Sequence, residues 1–137
     1  MKGSPLISLA AVFTLATPED IRSHIHHAYI IGKRFRLVLV KRGHQQYEVS
    51  TFRREVRAED TDNGDGDPVV GDNVFGSPEE DAKRRDFTIN ALFFDPVANE
   101  VLDYVDGRRD LQERVVRMIG DPDVRLQEDP IRILRAL

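Results

Sequence analysis

Arg84, Arg85, Asp86 and Asn90 stand within RRDFTINALFF (84–94), where three charges give way at once to an apolar run. Arginine and asparagine donate to phosphate and ribose oxygens, while an aspartate can hold a ribose hydroxyl or a metal ion. Mg2+ chemistry on a triphosphate calls for hard carboxylates of this kind. The alternative is a solvated edge on a buried segment. A second stretch, EDPIRILR (128–135), sets Asp129 three residues before Arg132 and Arg132 three before Arg135. Residues so spaced are neighbours on a helix. A carboxylate beside a guanidinium fork can read the Watson–Crick edge of a base, or it can close on itself as a salt bridge. Glu48 is a third candidate, a carboxylate between apolar neighbours: either an edge charge or an acid aimed into a site.

These residues need elements to hold them. Thr17-Pro18-Glu19-Asp20 starts a helix, with Thr17 as cap, Pro18 in the first turn and two acids at the positive end of the dipole; it is expected to run to about His27. His24 and His27 have the spacing of metal ligands on one face, but with no third ligand in view they read as surface or packing residues. Residues 35–40 and 46–52 read as strands of an antiparallel hairpin joined by Lys41-Arg42-Gly43-His44-Gln45. In the second strand Tyr47, Val49 and Thr51 share one face; Glu48, Ser50 and Phe52 share the other. Residues 58–78 are rich in Gly, Asp, Asn and Pro and predict a long, mobile acidic loop. Its DTDNGDGD is not a calcium loop, because the twelfth position holds Gly71 or Asn73 rather than glutamate. A short helix is expected over 77–85, capped by Ser77 with Glu80 at the capping-box position. A second hairpin turns through residues 95–99. Residues 110–117 are amphipathic and partly helical, and Asp129-Pro130 opens a last helix over 131–137, whose apolar Ile131, Ile133, Leu134 and Leu137 call for something to pack on.

The composition bounds the rest. A chain of 137 residues, 40% hydrophobic and 32% charged, is globular. Its net charge of −4 is not that of a basic, free-standing nucleic-acid binder. Residues 55–82, however, hold ten acids and one base, which leaves the remainder net basic and able to meet phosphate. There is no cysteine, hence no disulfide framework and no thiolate metal site. No apolar run reaches the roughly 18 residues of a membrane span, and a cytoplasmic location is expected. The N-terminal MKGSPLISLAAVFTLATPE can be read as a secretory signal or as a buried strand running into the helix at Thr17.

Taken in order, DNVFGSPEEDAKRRDFTINALFFDP, VLDYVDGRRDLQERVVRMIGDP and RLQEDPIRILRAL resemble the class II nucleotidyltransferase family of CCA-adding enzymes and bacterial poly(A) polymerases. DNVFGS, RRDFT and the hairpin region IIGKRFRLVLV…YEVSTFR look most like the poly(A) polymerase branch. The resemblance spans about 11–137. It implies an α+β nucleotidyltransferase-like head, a mixed or antiparallel sheet flanked by helices and incomplete at both ends. That would be one partial domain over 1–137, with a nucleotide-reading helical region from about residue 123. It implies template-independent adenylyl transfer from ATP to an RNA 3′ end with Mg2+. Arg85, Asp86 and Asn90 would lie around the sugar and triphosphate. Asp129 and Arg132 would select the base, and Arg135 would help position it. Glu48 would fall near the metal carboxylates, with Asp86 counted among the active-site acids, and Asp103, Asp106 and Arg109 would shape the templating pocket. The family pattern opens on a glycine-rich block and an Asp-x-Asp strand. Aligned through Ala16-Thr17-Pro18-Glu19, the two acids fall on Leu9 and Ala11. That departure implies a truncated or degenerate form, with CCA addition and a non-catalytic nucleotide- or RNA-binding remnant as the alternatives.

Overall fold

The computed structural model describes residues 10–32, 36–57, 60 and 74–137. The chain divides into two compact units, Met1–Ser77 and Pro78–Leu137.

The first unit is built on a four-stranded mixed sheet in the order β1-β4-β3-β2, with β1 Ala10–Thr14, β2 Ala28–Ile31, β3 Leu37–Arg42 and β4 Gln45–Thr51. β1 lies parallel to β4, and the other neighbours are antiparallel. The apolar N-terminal run thus enters a sheet from Ala10 onward, as the strand reading expects. The β3–β4 connection is tighter than the five residues anticipated. Arg42 pairs with Gln45, leaving Gly43 and His44 as the turn, and Gly43 takes φ +61°, the left-handed conformation that short hairpins demand. Val38 is fully buried, and Ile21, Phe52 and Pro18 are buried as well. Phe13 stacks on Phe52 with ring centroids 5.6 Å apart. Each of these aromatics covers apolar area that would otherwise face water.

Helix α1, Pro18–His24, begins as the sequence predicts and adds a full capping box: Asp20 N–H donates to the Thr17 hydroxyl, and Thr17 N–H donates to the Asp20 carboxylate. It stops three residues short of His27. The amide of Ile25 donates to Ile21 O and closes the last turn, His27 adopts φ +61°, and Lys41 N–H already donates to His27 O. The pull of sheet pairing ends the helix. His24 Nδ1 lies within hydrogen-bond reach of the Asp20 carbonyl and the Ser23 hydroxyl.

Most of the anticipated acidic loop, 58–59 and 61–73, lies outside the described residues. Its last part is more ordered than a free loop. Phe75 bridges Arg53, Arg54 N–H donates to Val74 O and Gly76 N–H donates to Phe52 O. Asp60 takes both terminal nitrogens of Arg54 at 2.7 Å, which pulls its pKa down to about 2 with help from the Arg57 amide.

The second unit carries α2 Pro78–Arg84, a 3-10 turn at Thr88–Asn90, the antiparallel pair β5 Leu92–Asp95 and β6 Glu100–Asp103, and the helices α3 Gly107–Glu113, α4 Pro122–Glu128 and α5 Arg132–Arg135. Residues 110–117 are helical in part, as expected, but two bounds differ. α3 starts three residues before Asp110, because the Asp103 carboxylate accepts from the amides of Val105, Gly107 and Arg108 and so seeds its first turn. α3 ends at Glu113, with Arg114 at φ +56°. α5 is one turn rather than seven residues, and α4 precedes it, where a helical region is expected from about residue 123 without a separate helix being delimited. Asp121 caps α4 by accepting from Asp123 N–H, and Pro122 takes its first turn. Among the described residues no helix is long and apolar enough to cross a membrane.

Candidate nucleotide-binding site

The second unit gathers Arg84, Arg85, Asp86, Asn90, Asp129, Arg132 and Arg135. At the base of the arrangement is Asp81 on α2, fully buried. Its carboxylate accepts from Arg84 Nη2 at 3.2 Å and from Arg85 Nε at 3.0 Å, the pairing that helical spacing of three and four provides. Arg85 also donates through Nη1 to Asn90 O at 2.9 Å, and its guanidinium lies 4.8 Å from the Phe93 ring centre. The Arg85 expected at a triphosphate therefore braces the RRD turn from three directions.

Asp86 follows the end of α2, and its side chain is 15% exposed with both carboxylate oxygens engaged. Oδ1 accepts from Phe87 N–H at 2.8 Å and from the Asn90 amide at 3.3 Å, and Oδ2 accepts from Arg135 Nε at 2.9 Å. Burial pushes the Asp86 pKa up, but these three donors outweigh it and hold the carboxyl below its ordinary value. Arg135 reaches on with Nη2 to Asp129 Oδ2 at 2.8 Å. That bond is the main reason the Asp129 carboxyl lies low, assisted against partial burial by the amide of Ile131. One guanidinium thus ties the RRD carboxylate to the base-reading candidate.

The expected Asp129–Arg132 pair takes a different form. Asp129 is the extended residue that ends α4, with φ −150° and ψ 90°, rather than a member of the last helix. Its carboxylate stands 3.8 Å from Arg132 Nε, beyond a hydrogen bond. The Arg132 side chain is 14% exposed, and among the described residues its Nε and Nη1 are buried with no hydrogen-bond partner. Buried donors of this kind are uncommon in folded proteins and ask for an acceptor.

Glu48 belongs to the first unit, half-buried on β4, in register with Leu39 on one side and Ala11 on the other. Among the described residues no group of three or more His, Cys, Asp or Glu side chains could hold a metal ion. Asp86 as arranged meets three protein donors. The described residues do not fit Mg2+ as they stand.

The sequence did not single out the side chains that lock this arrangement. Arg125 on α4 donates through Nη2 to Arg84 O at 2.7 Å and to Arg85 O at 3.0 Å. Asp110, 1% exposed, accepts from the Thr88 hydroxyl at 2.7 Å and from Arg117 Nε at 3.1 Å. The signal for α4 was present: Asp121-Pro122-Asp123 repeats the cap, proline and acid of Thr17-Pro18-Glu19. Asp103, Asp106 and Arg109 sit at or near the start of α3. Asp103 caps it, Asp106 takes φ +62° and Arg109 pairs with Glu113.

Residues 10–117 match the family described as the poly A polymerase head domain. Poly(A) polymerase I of Salmonella typhi is 45% identical over 131 residues, covering 92% of this chain and 28% of that protein. A CCA-adding enzyme of Staphylococcus aureus is 38% identical over 126 residues, covering 92% of this chain and 30% of the enzyme. Among solved structures, the Bacillus stearothermophilus CCA-adding enzyme in complex with CTP superposes with a TM-score of 0.72 at 31% identity, covering 90% of this chain and 28% of that one. The chain thus spans under a third of the length of these relatives. With the α+β architecture and the ordered RRD and EDPIR blocks, the match over most of the chain places it in the poly(A) polymerase head-domain family.

Proposed function

We propose that this chain is the nucleotide-recognising part of a poly(A) polymerase-type head and takes ATP as its nucleotide. In the corresponding reaction the 3′ hydroxyl of RNA attacks the α-phosphorus of ATP. The bond to the β-phosphate breaks, pyrophosphate leaves and the hydroxyl proton is lost. The observation that carries the reading is Arg132. Its two buried donors lack an acceptor beside a carboxylate that Arg135 holds ionised. A nucleobase edge supplies the acceptor for Arg132 and a further donor for the Asp129 carboxylate. Asp86 and Asn90 supply an acceptor and a donor for the sugar, and Arg135, already turned to Asp86, can exchange that carboxylate for a phosphate oxygen.

Turnover is a separate matter. The positions at which the resemblance places the metal acids hold Leu9 and Ala11. Losing such electrostatic stabilisation costs about 3 kcal/mol or more for each element, several decades of rate in all. The isolated chain is expected to bind ATP without extending RNA. CTP is the second reading, favoured by the likeness to a CCA-adding enzyme in complex with CTP.

Equilibrium dialysis with ATP and with CTP, beside extension of a labelled oligoribonucleotide with each nucleotide and Mg2+, tests the reading. ATP binding without extension supports it. Binding of CTP in preference to ATP moves the chain to the CCA-adding reading. Robust adenylate addition overturns the non-catalytic part, and failure to bind either nucleotide overturns the whole.

A further inference from the structure

Resting on the nucleotide-site reading, we infer that Arg125 is a positioning residue that aims the Asp86 carboxylate by fixing the peptide plane between Arg85 and Asp86. The RRD turn is held along its length by the segment 117–125. Arg125 Nη2 takes the carbonyls of Arg84 and Arg85 at 2.7 and 3.0 Å. Ile119 N–H takes the carbonyl of Asp86 at 2.8 Å, and Thr88 N–H donates to Arg117 O at 3.0 Å. Phe87 bridges Met118. The two carbonyls that Arg125 takes come at the end of α2, where the helix leaves its acceptors unpaired and its dipole is negative, so a buried guanidinium is the matching donor. The Arg125 side chain is 12% exposed.

The mechanical consequence is local. A peptide unit is planar, so orienting the Arg85 carbonyl orients the Asp86 amide with it. Only φ of Asp86 then lies between that plane and its Cβ. With the Asp86 carbonyl pinned by Ile119, the backbone on both sides of Asp86 is fixed. Its carboxylate can then meet Phe87 N–H, Asn90 and Arg135 together. The chain turns into α4 at Gly120, whose φ of +83° suits glycine, and Asp121 and Pro122 then start the helix that carries Arg125 back to the turn.

The test uses Arg125→Lys, which keeps the charge but loses the planar fork, and Arg125→Gln, which loses both. In the full chain, ATP binding is measured for wild type, Arg125→Lys, Asp86→Asn and the double variant. Amide exchange is followed by NMR at Phe87 and Ile119, without nucleotide. Arg125→Lys is expected to weaken ATP binding about tenfold, and to weaken it little further once Asp86→Asn is present, because the two act through one group. In the nucleotide-free protein the Phe87 amide, which relies on the Asp86 carboxylate, should exchange about tenfold faster while the Ile119 amide stays protected. Equal loosening at both amides, or none at Phe87, overturns the inference, as do effects on ATP binding that simply multiply. If wild type binds no ATP, the nucleotide reading fails and the exchange pattern alone decides the role of Arg125. Should Arg125→Gln fail to fold, the milder Arg125→Lys carries each readout.

Discussion

Gly107→Ala is expected to destabilise this protein, against the direction that helix propensity gives. Gly107 opens α3, and alanine in a helix is ordinarily better than glycine by about 0.5–1 kcal/mol. An added Cβ here would lie 2.3 Å from the Thr88 carbonyl oxygen, 2.9 Å from its carbonyl carbon and 3.1 Å from Leu92 Cδ2. A carbon and a carbonyl oxygen in close contact stand about 3.3 Å apart, so α3 must retreat from the 3-10 turn by about 1 Å. The obstacle is backbone, which cannot rotate aside as a side chain can. The retreat strains the Thr88–Asp110 hydrogen bond of 2.7 Å and the amides held by Asp103. Overpacking of this kind costs about 1–3 kcal/mol. With the steric term at the top of that range and the propensity gain set against it, the net loss is about 2 kcal/mol. For a domain of this size that lowers the melting temperature by roughly 8 °C. Thermal unfolding followed by circular dichroism reads the shift directly. A melting temperature equal to wild type, or higher, would falsify the close-approach argument and return Gly107 to an ordinary helix position.

Thr17→Ala removes the hydroxyl half of the α1 capping box and should cost about 1 kcal/mol in urea unfolding, with the slope unchanged; no change in midpoint would mean that the amide of Asp20 finds water at no cost. Acid should weaken the fold. Burial raises the pKa of Asp86 and of Asp103 but the surrounding donors outweigh it, and at Asp110 the Thr88 hydroxyl and then Arg117 overcome the same opposition, so all three carboxyls lie below their ordinary value. Groups depressed in this way contribute fully above their unfolded pKa near 4 and lose that contribution as pH falls through the folded values. The melting temperature should therefore hold from pH 7 to 5 and drop below pH 4, more steeply in wild type than in Asp103→Asn; a rise on acidification would contradict it. Arg132→Met removes two donors that, among the described residues, are buried without a hydrogen bond, along with ion pairs of 3.8 and 4.0 Å to Asp129 and Glu128, so it should weaken ATP binding about tenfold while the melting temperature stays level or rises. A fall in both would assign Arg132 to the fold rather than to a ligand.

The elements that could be read from the sequence are those whose signals are local. Thr17-Pro18 started α1 and Gly43 turned the hairpin because a cap and a left-handed glycine act within a few residues. The end of α1 depends on a distant partner, Lys41 pairing with His27, while the start of α3 rests on a nearby carboxylate, four residues ahead of Gly107, that lies outside the usual cap pattern. The fully buried Asp81 lies inside an acidic run, and the helical spacing that gives it Arg84 and Arg85 also gives the exposed Glu79 Lys83, so spacing alone does not tell the buried acid from the exposed one.

The same contrast explains why the candidate site was legible as a residue set and not as a geometry. Arg84, Arg85 and Asp86 were read as three charges facing a nucleotide. The structure engages all three with protein partners: the arginines on Asp81 and the Asn90 carbonyl, and Asp86 on Phe87 N–H, Asn90 and Arg135, the Asp86 side chain being only 15% exposed. Charge density in the sequence therefore overstated the charge available to a ligand. The distinction is physical, since a guanidinium donor already bonded to a buried acceptor must give up that bond before it can meet a ligand. Arg132 is the reverse case. Its sequence neighbourhood offered it Asp129 as a partner, and the end of α4 carries that carboxylate to 3.8 Å and hands it to Arg135 instead. Arg132 keeps ion pairs to Asp129 and Glu128 at 3.8 and 4.0 Å, yet among the described residues its Nε and Nη1 make no hydrogen bond.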